Sequence, residues 1–183
     1  CLKTMMKAWK GEAISLHEDN TVSVIVKPSP VQKPYPPIWI AAFGPKALQQ
    51  AGTLGLPYIA SPVETFKQLK KNMEMFQNAV LEAGHKPIAT RPVMRTVYVC
   101  DDHSELQTLK RAIDKAKMPA GLETSPNIDE WAIIGDKQYV QEKILQYKEE
   151  LKITDLIVTR LRLARIPDKS YRKSLENIAT MER

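Results

Sequence analysis

No stretch of this sequence approaches the roughly 20 apolar residues that a membrane span needs. Lys3, Lys7 and Lys10 interrupt any signal-like apolar run at the start, so a soluble, cytoplasmic protein without a membrane partner is expected. Cysteine is scarce. Cys1 and Cys100 stand too far apart for CxxC or metal spacing, and Cys100 closes a strand-like run as a small core residue would. His17, His85 and His103 have no mutual ligand spacing, so each reads as a turn or cap residue and no metal is expected. GxGxxG and P-loop patterns are missing, which argues against nucleotide binding on an open sheet. There is no nucleophile–base pair and no pair of carboxylates at catalytic spacing. Chemistry, if there is any, is expected to come from a cofactor.

Positive charge is abundant, with 27 Lys and Arg against 21 Asp and Glu, a net charge of +6. These residues are spread along helical faces, as in Lys67, Lys70 and Lys71 or Lys110, Arg111 and Lys115. Without aromatic interleaving or a recognition helix, a solvated helix surface accounts for them and no nucleic-acid partner is expected. Hydrophobic content of 43% over 183 residues is that of an ordinary globular domain.

The chain begins Cys1-Leu2-Lys3 inside what reads as a helix end, with Leu2, Met5, Met6 and Trp9 on one side. The expectation is a molecule cut into rather than begun. Gly11 to Asn20 reads as turn, Thr21 to Val26 as extended. Prolines at 28, 30, 34, 36 and 37 make a stiff connection into the apolar run Ile38–Ala42. A run apolar on both faces predicts a parallel strand covered by helices. A short helix to about Gly55 follows, then a strand over Pro57–Ala60. Ser61-Pro62-Val63-Glu64 reads as the start of a helix with its stripe on Val63, Phe66, Leu69, Met73, Phe76 and Val80, closed by Gly84. Val93–Cys100 is the third strand. Asp102 and Glu105 cap a helix carrying Leu106, Leu109 and Ile113; 118–130 is irregular; Gly135-Asp136 opens a helix to Leu151. Leu156–Val158 is the last strand and Asp168 caps the last helix. The order is strand–helix four times, with one extra helix before the last strand. That is either half of an eight-fold barrel or a small open doubly wound sheet.

Ligands bind at the carboxyl ends of such strands. At Ala42-Phe43-Gly44-Pro45-Lys46-Ala47, Gly44 permits a tight turn and the following helix offers free amides and a positive dipole end. Pro45 has no N–H, leaving Phe43, Gly44, Lys46 and Ala47 as donors, with Lys46 adding charge. An ordinary strand-to-helix turn with a surface lysine explains the same residues, and spacing leaves both open. After the last strand, Arg160, Arg162 and Arg165 form a second cluster suited to phosphate or carboxylate, although a salt-bridged surface explains them better. Residues 118–134 form a third candidate, a lid or binding loop, with disorder as an equal alternative.

The segment Pro30-Val31-Gln32-Lys33-Pro34-Tyr35-Pro36-Pro37-Ile38-Trp39-Ile40-Ala41-Ala42, followed by Gly44-Pro45-Lys46-Ala47-Leu48, resembles the bacterial luciferase-like flavin-dependent monooxygenases. Trp9-Lys10-Gly11-Glu12, Ile134-Gly135-Asp136-Lys137, Thr154–Val158 and the helix from Asp168 are similar to the same family. The resemblance implies an α/β fold, the C-terminal half (strands 5–8) of a (β/α)8 TIM barrel. Residues 1–183 would then be one partial domain: 1–36 a helix end and proline-rich connection, 37–183 four β/α units. It implies cofactor binding at Ala42, Phe43, Gly44, Lys46 and Ala47, to FMN or, alternatively, the deazaflavin F420. The polar positions some members use there are Ala42 and Phe43 in this chain, so backbone donors and Lys46 must carry the contact. The implied activity is oxygenation of a small organic substrate, or hydride transfer. Alternatives are a non-catalytic flavin-binding protein and a half-barrel assembly module. The implied partners are a missing N-terminal half, or another copy in a homo-oligomer. The segment alone would be inactive.

Overall fold

The computed structural model describes residues 1–16, 22–114, 127–160 and 166–181. It forms two compact units, Cys1–Ile38 and Trp39–Arg183.

In the first unit, α1 (Leu2–Lys10) ends at Gly11, whose φ of 80° lets its amide and that of Glu12 return to Ala8 O and Lys7 O. The extended segment at 21–26 yields β2 (Ser23–Val24), which pairs antiparallel with β1 (Ile14–Ser15). β1 falls within the stretch read as turn: two residues are too few to show a period. The proline-rich stretch carries neither helix nor strand.

The second unit alternates strand and helix. β3 (Ile40–Ala41), α2 (Gly44–Thr53), β4 (Tyr58–Ile59), α3 (Phe66–Glu82) and β5 (Pro92–Val99) are followed by α4 (His103–Asp114) and α5 (Ile128–Trp131). β6 (Ala132–Gly135), α6 (Lys137–Leu151), β7 (Asp155–Thr159) and α7 (Asp168–Ala179) complete it. β3 pairs parallel with β4, Ala60 bridges to Val93, and β5 pairs parallel with both β6 and β7. Val93 faces Ala60 on one edge and Leu156 on the other; Thr96 faces Ala132 and Thr159. β4 and β6 therefore share one edge of β5, with β7 opposite, and the strands run β3–β4–β5–β7 with β6 wedged beside the upper half of β5. Among the described residues β3 and β7 have one neighbour each, so the sheet is open.

Four strands with one extra helix were expected; β6 makes a fifth. Its run Trp131–Ile134 is apolar but short, and Trp131 belongs to the helical turn α5 before it. Residues 127–134 are thus a helical turn and a strand rather than irregular chain, and 118–126 lie outside the described residues.

The larger core lies under α2, α3 and α6 and includes Leu48, Leu69, Phe76, Val93, Val97, Val140 and Leu151. A second cluster packs Tyr98, Leu106, Leu109 and Trp131. Alternation along β5 gives Val93, Val97 and Val99 to the first core and Tyr98 to the second. Past Thr96, where the pairing with β7 ends, Ser174 Oγ on α7 accepts the Val99 amide at 2.8 Å. Among the described residues no helix is long and apolar enough to cross a membrane.

Candidate functional site at the carboxyl ends of the strands

β3 ends in the turn that the sequence singled out. Ala42 is buried in the core and Leu48 anchors α2 beneath it. Phe43 is the N-cap, extended at φ −121°, ψ 120°, with no side-chain cap, and Pro45 sits in the first turn. Gly44 has φ 76°, and no atom lies within 4 Å of where a Cβ would stand. The turn is therefore open on the glycine, in a conformation that L side chains rarely adopt. Lys46 and Phe43 are exposed, Phe43 at 67%. In a helix capped at Phe43 the Ala47 amide returns to the Phe43 carbonyl. The donors left over by the helix are the amides of Phe43, Gly44 and Lys46, while the Ala47 amide is used within it.

Carrying the β3–β4 register one residue forward sets Ala42 beside Ala60, so the turn after β4 rises next to the first. That second turn, Ser61–Glu64, was expected to open α3. It does not: α3 begins at Phe66, with Thr65 Oγ1 accepting from Gln68 N at 3.2 Å and Gln68 Oε1 from Thr65 N at 2.9 Å. Both Ser61-x-x-Glu64 and Thr65-x-x-Gln68 are capping-box patterns. The second wins because the carbonyls of Ser61 and Glu64, which a helix from 61 would need for its ladder, are taken by the buried Arg95 guanidinium at 2.7 and 2.9 Å. Glu64 still reaches back, accepting from Ser61 N at 2.7 Å and from Asn72 Nδ2 at 2.5 Å. Burial pushes its carboxyl above the usual carboxylate range, against the pull of Ser61, Asn72 and Arg95.

The sequence reading missed Arg95. Its signal was there: one cation in the apolar run Val93–Val99, at a position alternation assigns to the core side.

After β7, Arg160 engages the start of α7 through its two terminal nitrogens. It donates to Asp168 Oδ1 at 2.5 Å and to the Ile166 carbonyl, and its guanidinium lies 5.0 Å from the centroid of the Tyr171 ring. This hydrogen bond holds the exposed Asp168 carboxyl below its usual range. The arginine thus ties the start of α7 to the end of β7. Asp168 is the first residue of α7 rather than its cap, which is Pro167. Arg162 and Arg165 lie outside the described residues. After β5, Asp102 Oδ1 caps α4 through Ser104 N and Glu105 N, whereas the Glu105 carboxylate accepts from Tyr98 Oη at 2.7 Å instead of capping. Burial pushes the Cys100 thiol up, as for an unactivated cysteine.

Parallel strands covered by helices, with a glycine turn leading from β3 into α2, define an α/β protein. Residues 1–154 match the family of luciferase-like monooxygenases, and the chain belongs to that family. Among solved structures it is similar to the monooxygenase RslO1 from Streptomyces bottropensis, with TM-score 0.74 and 17% identity over 98% of this chain and 58% of that one. The oxygenating constituent of 3,6-diketocamphane monooxygenase from Pseudomonas putida, a type II Baeyer–Villiger enzyme in complex with FMN, matches with TM-score 0.64 and 19% identity over 98% and 60%. The coenzyme F420-dependent tetrahydromethanopterin reductase from Methanopyrus kandleri matches with TM-score 0.69 and 17% identity over 98% and 60%. At such identities these likenesses speak for the fold. The chain spans about three fifths of the length of these structures. No curated protein matches it by sequence.

Proposed function

We propose that this chain is the phosphate-holding part of a luciferase-like oxidoreductase that uses FMN, with deazaflavin F420 as the alternative. The observation that carries this is the turn itself: Gly44 at φ 76° with open space over it, at the N-terminus of α2, beside an exposed Lys46. A phosphate needs close backbone approach, several N–H donors and positive charge. The amides of Phe43, Gly44 and Lys46 and the Lys46 ammonium are that set. When bound, a flavin supplies oxygen activation and a deazaflavin hydride transfer; this chain's part is to hold the phosphate end. The FMN complex and the F420 dependence among the similar structures support both cofactors as candidates.

The half-barrel belongs to the same proposal. β3, β4, β5 and β7 correspond to strands five to eight of a (β/α)8 barrel, and a complementary half, or another copy in a homo-oligomer, completes the ring and substrate sites.

The test is titration of the protein with FMN and with F420, followed by flavin fluorescence. Lys46→Glu replaces an attraction with a repulsion, about 1–2 kcal/mol in all at an exposed site, or roughly five- to thirty-fold in affinity. Unchanged affinity would return the turn to a plain strand–helix junction. FMN binding without substrate-dependent oxygen consumption would identify a flavin-binding protein rather than an enzyme.

A further inference from the structure

Burying a guanidinium is costly, and an apolar side chain of similar size would fill the same space without that cost. Arg95 is nevertheless 0% exposed in the middle of β5. Its Nη1 donates to Ser61 O at 2.7 Å and Met94 O at 2.8 Å, its Nη2 to Glu64 O at 2.9 Å, and its Nε to Tyr147 Oη at 3.0 Å. The Tyr147 ring centroid lies 5.3 Å from the guanidinium. The Glu64 carboxylate spends its hydrogen bonds on Ser61 and Asn72 instead. Three elements, β5, α3 and α6, thus converge on one turn of four residues. The planar fork of arginine suits this task, because it reaches two carbonyls of the turn in fixed directions.

What the arrangement secures is geometry at the ligand edge. The Ser61–Glu64 turn follows β4 and leaves its strand at the level of the phosphate turn. With its ends drawn inward by Arg95, its middle residues Pro62 and Val63 stay part-exposed at that edge. We propose that Arg95 is a positioning residue: it holds the Ser61–Glu64 turn as a fixed wall of the cofactor site beside Phe43–Lys46. This rests on the cofactor reading above.

The test uses the whole protein with Arg95→Met, which keeps bulk and removes the donors, and Arg95→Lys. Amide hydrogen exchange at 61–65, FMN affinity and thermal stability are measured together. Phe76→Leu, in the same core, is the comparison for general destabilisation. Arg95→Met is expected to speed exchange at 61–65 at least tenfold and weaken FMN binding about tenfold, with partial recovery in Arg95→Lys. Phe76→Leu is expected to lower stability without selective exchange at 61–65 or loss of affinity. Arg95→Met that matches Phe76→Leu on both readouts would overturn the proposal. If Arg95→Met does not fold, Tyr147→Phe removes the acceptor of Arg95 Nε and must show the same pattern in weaker form; unchanged exchange and affinity there would overturn it equally. Wild-type protein that binds neither FMN nor F420 would instead defeat the cofactor reading, while the exchange result still decides whether Arg95 fixes the turn.

Discussion

Where α2 crosses α3 the two helices approach closely, and one glycine permits it. A Cβ on Gly52 would stand 2.6 Å from Ala79 Cβ and 2.9 Å from both Ala79 C and Val80 N. Carbon atoms pack best at about 3.5–4.0 Å, and two of these three neighbours are backbone atoms that no rotamer change can move. Gly52→Ala therefore forces the helices apart by about 1 Å. Overpacking of this kind costs about 1–3 kcal/mol, and alanine's helix preference over glycine returns about 0.5–1 kcal/mol. At the centre of these ranges the net loss is about 1 kcal/mol, or about 2–4 °C in Tm for a chain of this size.

The assay is urea denaturation of the two proteins with the FMN titration in parallel. Because α2 carries the proposed phosphate turn at its other end, the shift should also weaken FMN binding. Ala79→Gly removes the 2.6 Å contact and leaves the backbone ones, so a double-mutant cycle should show favourable coupling with incomplete rescue. A Gly52→Ala protein as stable as wild type would refute the reasoning, since it would mean that the helices separate at no cost.

Gly44→Ala meets no neighbouring atom, so its cost is the backbone alone, about 1–2 kcal/mol for a left-handed alanine. If φ relaxes instead, the amides of the turn are re-aimed and FMN affinity should drop while stability recovers; unchanged stability and affinity together would refute the role given to Gly44. Glu64 predicts a pH dependence. Its folded pKa is raised above 4.5, so the folded state holds the proton more tightly, and stability present below that value is lost as pH rises through the raised pKa. Arg95 is the charged group that acts on it electrostatically, and Glu64 in turn helps to raise the neighbouring Tyr58 hydroxyl. Glu64→Gln should flatten this slope in chemical denaturation between pH 4.5 and neutrality; an unaltered slope would assign it to other groups.

The strands β3, β4, β5 and β7 and most helices were legible because each rests on a local pattern: an apolar run between breakers, or a stripe such as Leu69, Met73, Phe76 and Val80. The strand-to-helix turn before α2 was legible too, since Phe43-Gly44-Pro45 needs only local rules. β6 was not, because its four residues adjoin Trp131 in one apolar run and only pairing with β5 separates strand from helical turn. The start of α3 was misplaced for a different reason. Two capping boxes stand in series, and nothing local chooses between them.

Arg95 makes that choice from 34 and 31 residues away, by taking the carbonyls of Ser61 and Glu64. A contact of this kind has no period and no motif, so sequence patterns register it only as one misplaced charge in an apolar strand. The two arginines at strand level then divide their roles. Arg160, partly exposed, secures the start of α7 through Asp168 and Ile166. Arg95, fully buried, goes with a start of α3 four residues later than the Ser61 cap would give, and holds the turn beside the proposed phosphate site. The site proposed here therefore has a local half, written in the Gly44 turn, and a non-local half that exists only once β5 has docked. Cofactor affinity should depend on Lys46 through charge and on Arg95 through geometry, so raising the salt concentration should weaken the effect of Lys46→Glu and leave that of Arg95→Met in place.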